Sequence, residues 1–315
     1  MKICILGAGA LGCAIGAALT EGGSDVWLIN RDARHVEAMN RHGLRIERAG
    51  RDSYLPVKAA RSADEVGVVD LVVVLVKSFS TREAIEGAKS LVGDNTVVLS
   101  LQNGLGHEDI LAEVVGRERV LAGKTYVGGV LLGPGHIVSG VEGKETLIGE
   151  LDGSLSHRAQ AIAEVFNRAG LSTTVSANIM GTMWDKLLIN VATGALSGIT
   201  RLVYGELYAI PQIRETALAA VAEAMAVARA AGIRLSFTHP EQAWTLAAEG
   251  LPAAFKTSML QSLEKGSPTE IDFINGSVVR WGQRFNVPTP VNAALVACIK
   301  GIERAQILSR KEHTA

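Results

Sequence analysis

The chain has 315 residues, with 31 Lys plus Arg against 32 Asp plus Glu, which leaves a formal charge of -1 at neutral pH. A single hydrophobic core seldom organises so long a chain, so the length predicts two domains. The balanced charge excludes a strong attraction for nucleic acid or anionic lipid. Because the apolar runs are short or interrupted by charge, we expect no membrane span and a cytoplasmic location.

The first half of the chain alternates short β-branched runs with helical segments. The runs are "KICILG", "DVWLIN", "DLVVVLVK" and "NTVVLSLQN", and helices are predicted at 10–22 and 33–42. Strands alternating with helices predict a parallel, doubly wound sheet of the Rossmann type. Further runs, "LRIERAG" with "SYLPVKAA" and "GGVLLGPGHIVSG" with "ETLIGE", are typical of hairpins or edge strands. The fold is therefore predicted to be α/β, with a sheet that can be mixed.

The second half changes character after "LSTTVS", because residues 177–310 hold long alanine- and leucine-rich helical patterns. We predict an all-helical second domain and place the domains at 1–174 and 175–315. Its apolar helices also allow a homodimer through this domain. The polar tail "SRKEHTA" is expected to fray.

A glycine motif follows the first predicted strand and precedes the first predicted helix. In "KICILGAGALG" it comprises Gly7, Ala8, Gly9, Ala10, Leu11 and Gly12. Gly7 permits a tight turn, Gly9 lets the backbone approach a pyrophosphate, and Gly12 lets the helix pack on the strand. The helix N-terminus offers N–H groups to phosphate. The motif predicts a dinucleotide site, and the alternative is a glycine turn that serves packing alone.

The end of the second predicted strand bears on the choice of cofactor. An NAD site usually places Asp or Glu there for the ribose hydroxyls, whereas this chain has Asn30 and then Arg31. A guanidinium pairs with a 2′-phosphate, so we favour NADPH over NADH. Arg31 could instead be a solvated loop cation. Lys77, after "LVVVLV", is either a second cationic contact at the ligand edge of the sheet or a surface charge.

One lysine stands in an otherwise apolar helical stretch, "MWDKLLIN". If residues 179–197 form a helix, polar side chains recur at steps of three and four residues. We call this set the polar stripe, and it comprises Thr182, Lys186, Asn190, Thr193 and Ser197. The stripe either faces water or lines a binding cleft, and the residues alone favour neither alternative.

A second informative stretch lies near the C-terminus. "PTEID" predicts a helix start, where Thr269 can cap and the carboxylates of Glu270 and Asp272 suit the helix dipole, with Asn275 further along the same helix. Helix capping is therefore one alternative for Glu270 and substrate binding another. Ser258 in "KTSM" has the same two alternatives.

Taken in order, these pieces resemble the ketopantoate reductase (2-dehydropantoate 2-reductase) family over nearly the whole chain. The matching pieces are "ILGAGALG", Lys77, "LQNG", "GPGHIVSG" with "IGE", "WDKLLIN", "KTSML", "TEIDFING" and "PTPVN". The resemblance implies NADPH binding in the first domain. It also implies reduction of the 2-keto acid ketopantoate to pantoate, for pantothenate and coenzyme A biosynthesis.

The same resemblance assigns roles to individual residues. Lys186 matches the family's catalytic lysine, and Glu270 matches the acid that binds the substrate hydroxyl. Asn190 and Ser258 match substrate contacts, and Asn103 of "QNG" matches an asparagine that contacts substrate or the nicotinamide side. An ammonium stabilises the alkoxide formed by hydride addition and can supply its proton.

Some positions depart from the family pattern and leave other functions open. Thr193 and Gly194 stand where a second asparagine is frequent, and Ser262 stands where an aspartate is common. The alternatives are a related hydroxyacid dehydrogenase or 2-keto-acid reductase with another substrate, and an NADPH sensor without turnover. No metal is expected, since the seven histidines form no ligand cluster and are interpreted as surface or loop residues.

Overall fold

A computed structural model describes residues 1–312, with side chains described as far as residue 310. Its strands are β1 Lys2–Leu6, β2 Asp25–Ile29, β3 Leu44–Arg48, β4 Arg51–Leu55, β5 Lys58–Ala60, β6 Leu71–Val74, β7 Val97–Ser100, β8 Val120–Thr125, β9 Gly128–Gly133, β10 His136–Gly140, β11 Thr146–Gly149 and β12 Thr173–Val175. Its helices are α1 Ala10–Glu21, α2 Ala33–His42, α3 Thr81–Glu86, α4 His107–Val115, α5 His157–Arg168, α6 Ile179–Thr200, α7 Tyr204–Tyr208, α8 Pro211–Ala230, α9 Pro240–Ala248, α10 Ser258–Glu264, α11 Asn275–Phe285 and α12 Pro290–Glu312.

Two compact units divide the chain. The first consists of residues 1–102 and 107–179, and the second of residues 103–106 with the chain from Met180 onward. The strand β12 and the loop that follows it therefore stay with the first unit. Asn103, although it follows β7, is grouped with the helical unit.

The first unit contains an eight-stranded sheet in the order β12-β11-β8-β7-β6-β1-β2-β5. Strand β1 pairs in parallel with β2 and with β6, so the glycine loop leaves the same edge of the sheet as Asn30 and residues 75–77. The pair of β11 with β8 is antiparallel. The predicted parallel, doubly wound sheet is thus confirmed, with one antiparallel pair that makes it mixed.

Both faces of this sheet are buried, which explains its nearly continuous apolar strands. Ile3 and Ile5 point to the face that α1 covers. Cys4 and Leu6, at the alternate positions of the same strand, pack with Ile85 of α3 on the opposite face. The parallel pairing of β1 with β2 and β6 defines the register of β1 and hence the position at which the glycine loop begins.

Most of the predicted hairpin segments form a second sheet, whereas β5, from "SYLPVKAA", is an edge strand of the first sheet and β11, from "ETLIGE", also pairs within the first. Strands β3 and β4 are antiparallel, as are β9 and β10, and a parallel pair of β3 with β10 joins the hairpins in the order β4-β3-β10-β9. Leu44, Ile46 and Ile137 of this sheet share a core with Ile15 and Leu19 of α1. Helix α1 is therefore packed between two sheets.

The second unit is helical throughout its described residues, as predicted. Residues 191–198 of α6 are all buried, and Trp184 of α6 lies edge to face with Trp281 of α11 at 5.6 Å between ring centres. A side chain at Gly198 would lie 3.0 Å from Ile299 of α12 and 3.2 Å from Leu263 of α10. Close packing on several sides explains why α6 is so apolar.

The polar tail that was expected to fray is helical as far as Glu312, and residues 313–315 lie outside the described part. Among the described helices, none combines the length and apolar character that crossing a bilayer requires.

Candidate functional site

The glycine loop has the geometry that a dinucleotide site requires. Gly7 has a φ of +109° and passes so close to Val76 that a side chain would lie 2.5 Å from the Val76 nitrogen. A side chain at Gly12 would lie 2.3 Å from the Gly7 carbonyl oxygen, whereas one at Gly9 would meet no atom within 4 Å. No side chain caps the N-terminus of α1 at Gly9. The loop is thus packed at Gly7 and Gly12 but open at Gly9, where a pyrophosphate fits.

Three side chains converge on the Ala8 carbonyl in the middle of this loop. Asn30 Nδ2 donates to it at 2.7 Å, His35 Nε2 lies 3.0 Å away and Cys13 Sγ lies 3.4 Å away. Asn30 Oδ1 also accepts from the Asp32 amide at 2.9 Å. Asn30 therefore holds the loop, while its direct contact with a cofactor stays a prediction.

The interpretation of every histidine as a surface or loop residue was wrong for two of them. His35 of α2 is only 2% exposed, and His107 of α4 is fully buried. The His35 ring contacts the Ala8 carbonyl and the Gly135 amide, and the His107 ring contacts the Thr81 hydroxyl. Both histidines are therefore core residues with polar partners. His313 lies outside the described residues.

Arg31 lies at the surface beside a carboxylate from another helix. Its Nη1 is 3.0 Å from Glu83 Oε1 of α3, and both side chains are more than two-thirds exposed. Asp32, the nearest acid in the chain, is occupied as the N-cap of α2, where it accepts from the Arg34 amide at 3.0 Å. That backbone hydrogen bond lowers the pKa of the Asp32 carboxyl. The end of β2 therefore combines the Arg31 guanidinium with the carboxylates of Asp32 and Glu83, which moderate its charge.

The ends of β6 and β7 are joined by a buried network. Gln102 Nε2 donates to the Val76 carbonyl and to Thr81 Oγ1, each at 2.8 Å. Thr81 in turn donates to the Ser78 carbonyl at 2.8 Å, and His107 Nδ1 lies 3.3 Å from its hydroxyl. The network fixes the turn that carries Lys77, which is exposed three residues after β6 ends.

The polar stripe on α6 divides into two parts. Thr193 and Ser197 are buried and have structural partners, since the Thr193 hydroxyl lies 3.1 Å from that of Tyr204 and Ser197 donates to the Leu202 carbonyl at 2.8 Å. The part formed by Thr182, Lys186 and Asn190 is half-buried. Only the N-terminal part of the predicted stripe, Thr182, Lys186 and Asn190, is therefore partly exposed.

Lys186 does not share its part of α6 with an unpaired acid. Asp185, the neighbouring carboxylate, accepts from the Ser236 amide at 3.0 Å and 3.3 Å through its two oxygens. Asp185 thus anchors the loop between α8 and α9 to α6. This structural use of Asp185 was not predicted, because its partner is a backbone group 51 residues away.

The "QNG" loop packs against the turn that follows Glu270. Gly104 has a φ of +93°, and a side chain there would lie 2.3 Å from the Phe273 carbonyl oxygen. The Leu105 amide donates to that same oxygen at 2.9 Å. Since these contacts fix residues 104 and 105 on the 270–273 turn, Asn103 and Glu270 belong to one local assembly within the helical unit.

The helix start predicted at "TEID" is present only as a short 3-10 turn, at which the Ile271 amide donates to Thr269 Oγ1 at 3.3 Å. Residues 271–273 form one 3-10 turn, Ile274 breaks the backbone with φ -103° and ψ -97°, and α11 begins only at Asn275. The Thr269 amide and hydroxyl both donate to Glu303 of α12 at 2.7 Å, which holds the turn. Glu270 makes no capping hydrogen bond with its side chain. The capping alternative for Glu270 therefore has no support.

Ser258 lies at the first position of α10, and its neighbour provides the cap. Thr257 accepts from the Leu260 amide at 3.1 Å and is buried, whereas Ser258 is exposed. Ser258 is therefore not needed for capping.

One acidic cluster with a histidine lies on the second sheet. Ligand atoms of Glu47, Asp52 and His136 fall within 4.8 Å of one another. The sequence did not reveal it, because β3 and β10 pair across about 90 residues. Arg45 Nε lies 3.0 Å from Asp52, so a guanidinium already supplies positive charge to this cluster.

The fold and the glycine loop define a dinucleotide-binding protein of the Rossmann type with a helical second unit. Comparison with known families matches residues 3–153 to "Ketopantoate reductase PanE/ApbA" and residues 178–303 to "Ketopantoate reductase PanE/ApbA C terminal". The chain belongs to the ketopantoate reductase family, and it is an oxidoreductase that acts on CH–OH groups.

Individual relatives support this assignment over almost their full length. The 2-dehydropantoate 2-reductase of Pyrococcus horikoshii is 36% identical over 304 residues, which cover 96% of this chain and 98% of the relative. A PanE/ApbA family ketopantoate reductase structure from Ralstonia eutropha is 36% identical and has a TM-score of 0.89. The match covers 97% of this chain and 99% of that chain. A D-mandelate dehydrogenase structure with NADH and anilino(oxo)acetate is 28% identical, with a TM-score of 0.90 and the same coverage.

Proposed function

We propose that this protein uses NADPH to reduce ketopantoate to pantoate, a precursor of pantothenate and coenzyme A. The observation that carries the proposal is the 36% identity to a 2-dehydropantoate 2-reductase over 96% of the chain, which includes both units. The open position at Gly9 supports binding of a pyrophosphate by the first unit. The alternative of a non-catalytic sensor has no observation in its favour.

The cofactor assignment has a general and a specific part. The family and the NADH-bound D-mandelate dehydrogenase support a nicotinamide dinucleotide. When bound, it supplies a hydride to the carbonyl carbon of the 2-keto acid. The specific preference for NADPH rests on Arg31 at the end of β2, whose guanidinium can pair with a 2′-phosphate, and on Asn30 at the position where an NAD site usually has Asp or Glu. Lys77, exposed after β6, is proposed as a second cationic contact.

Lys186 is proposed as the general acid. A ketone that accepts hydride becomes an alkoxide, and an ammonium both stabilises the negative charge and donates the proton to that oxygen. Lys186 suits this role because it is half-buried on α6 between fully buried Trp184 and Leu187, and its neighbour Asp185 is bonded to Ser236. The helix is rigidly packed, so the amine is carried by a fixed element.

Four more polar residues are proposed to hold the substrate. Ser258, exposed at the start of α10, is free of capping and suits the substrate carboxylate. Glu270 is proposed to accept a hydrogen bond from the terminal hydroxyl of ketopantoate. Asn190 lies one turn after Lys186 on α6, and Asn103 is held near the Glu270 turn by Gly104. Both amides would orient the 2-keto acid, and Asn103 also the nicotinamide side.

A second candidate function differs only in substrate. D-mandelate dehydrogenase matches the fold with a TM-score of 0.90, and mandelate carries a phenyl group where pantoate carries a hydroxylated branched chain. Glu270 discriminates between the two candidates. A carboxylate that must accept a hydroxyl hydrogen bond favours pantoate chemistry and disfavours an apolar ring.

The test is a substrate panel with purified protein. NADPH and NADH oxidation are followed with ketopantoate, phenylglyoxylate, pyruvate and a 3-keto acid. We expect the highest kcat/KM for ketopantoate with NADPH. Preference for phenylglyoxylate would establish the second candidate, and binding of NADPH without oxidation by any keto acid would contradict both.

The assembly and location of the protein are separate proposals. A homodimer through the helical unit is expected from its apolar helices, and light scattering measures the mass directly. The cytoplasmic location stays a prediction from the sequence.

A further inference from the structure

We propose that His35 is a positioning residue that sets the orientation of the dinucleotide-binding loop. It reaches this loop from outside the glycine motif, from the first turn of α2. The inference rests on the proposed cofactor site, and its test separates the two.

The hydrogen bonds of His35 define its protonation state. The Gly135 amide donates to His35 Nδ1 at 2.9 Å, so that nitrogen must be an acceptor. The hydrogen of the neutral ring is then on Nε2, which donates to the Ala8 carbonyl at 3.0 Å. A protonated ring would bring an N–H on Nδ1 against the Gly135 amide. The contact with Gly135 therefore requires neutral His35.

The donor at Nε2 acts on the peptide unit that precedes the open position of the loop. The Ala8 carbonyl and the Gly9 amide belong to one planar peptide, and the Gly9 amide donates to the Gly7 carbonyl at 2.8 Å. A donor fixed on the Ala8 oxygen thus sets the plane of this peptide and the start of α1. The buried ring, only 2% exposed, has little freedom to relax.

His35 also connects the loop to the second sheet. Gly135 lies in the turn between β9 and β10, and a side chain there would lie 2.9 Å from Ala38 of α2. One ring therefore joins three parts of the first unit: the glycine loop, α2 and the β9–β10 turn. This gives the second sheet a role in holding the cofactor loop.

The surroundings of the ring shift the pKa of His35. Burial lowers the pKa of His35 below its ordinary value of 6.5, while the Ala8 carbonyl and Asp32 act to raise it. From α1 the titratable group in contact is the Cys13 thiol, 3.5 Å from Nε2, whose pKa burial raises to about 12. The β9–β10 turn offers the backbone amide of Gly135, with His136 next in the chain. Because the folded state favours neutral His35, its contribution to stability is complete above pH 6.5 and is lost as the pH falls below that value.

The experiment separates the two hydrogen bonds with amide side chains. His35→Gln places a donor near the position of Nε2, and His35→Asn places an acceptor near that of Nδ1. Val36→Ala, at the next buried position of α2, is the matched control for general damage to the helix. NADP+ binding is measured by calorimetry, and deuterium exchange of residues 7–12 is measured without cofactor.

We expect His35→Asn to weaken NADP+ binding about three- to tenfold and to speed exchange of the loop, whereas His35→Gln keeps both close to wild type. In wild type, the protection of the loop relative to the intrinsic exchange rate at each pH should fall as the pH drops below the ordinary histidine range, and in His35→Gln it should not. Equal exchange in wild type, His35→Gln and His35→Asn would overturn the inference, as would an equal increase in Val36→Ala. Failure of wild type to bind NADP+ would instead contradict the proposed function, because the exchange comparison needs no cofactor.

Discussion

Gly9→Ala should separate cofactor binding from folding. Gly9 has φ -82° and ψ -157°, which alanine adopts, and the added methyl would meet no atom within 4 Å. Alanine is a poorer N-cap than glycine but restricts the unfolded chain more, and these effects oppose each other. We therefore expect the free energy of unfolding to stay within about 1 kcal/mol of wild type.

Cofactor binding should respond differently. The methyl would occupy the space through which a pyrophosphate approaches the backbone, so the phosphate contacts to the start of α1 would lengthen. We expect NADPH binding to weaken at least tenfold, about 1.4 kcal/mol. Gly12→Ala is the opposite case, since its methyl would lie 2.3 Å from the Gly7 carbonyl oxygen. Overpacking there should lower the free energy of unfolding by about 1–3 kcal/mol.

Urea unfolding and calorimetric titration with NADPH measure the two effects. Gly301→Ala is the matched control, because this exposed glycine of α12 also has no atom within 4 Å of an added methyl. It should gain about 0.5–1 kcal/mol of stability and bind NADPH as wild type does. Unchanged NADPH affinity in Gly9→Ala would refute the position assigned to the pyrophosphate. A loss of stability as large as that of Gly12→Ala would refute the open space at Gly9.

The other predictions concern the cationic and polar residues of the site. Arg31→Ala should lower the ratio of kcat/KM with NADPH to kcat/KM with NADH. Glu83→Gln should raise this ratio by up to about fivefold, because an exposed ion pair such as Arg31–Glu83 is worth at most about 1 kcal/mol. If neither variant changes the ratio, Arg31 does not contact the 2′-phosphate. Thr257→Ala should lower the free energy of unfolding by about 1 kcal/mol through loss of the α10 cap, whereas Ser258→Ala should raise KM for ketopantoate without lowering stability. Glu270→Gln should raise KM for ketopantoate and leave the affinity for NADPH unchanged, and an unaltered KM in steady-state assays would argue against its contact with the hydroxyl.

The elements with a local repeating pattern could be predicted from the sequence. The helices at 33–42 and 179–200 follow from apolar residues spaced at three and four, and β1 and the glycine loop follow from adjacent residues. The second sheet could not be predicted, because β3 pairs with β10 from a distant part of the chain. Periodicity identifies strands, but it does not identify their partners.

In the candidate site, too, the roles that depend on adjacent residues could be predicted, and those that depend on distant residues could not. The roles of Gly7, Gly9 and Gly12 are local, and the structure gives each the packing expected of it. His35 was misinterpreted because its partners are backbone groups 27 and 100 residues away. The helix predicted at "TEID" ends after one 3-10 turn for a similar reason. Glu303, 34 residues further on, holds Thr269 and stabilises a turn that local helix signals do not describe.

The most direct test of the central claim is single-turnover oxidation of NADPH by ketopantoate in wild type and in Lys186→Ala, with NADPH affinity measured in parallel. If the Lys186 ammonium protonates the forming alkoxide, the variant should oxidise NADPH about 10²–10⁴-fold more slowly while it still binds the cofactor. Oxidation at the wild-type rate by Lys186→Ala would contradict the account, because another group would then have to supply the proton.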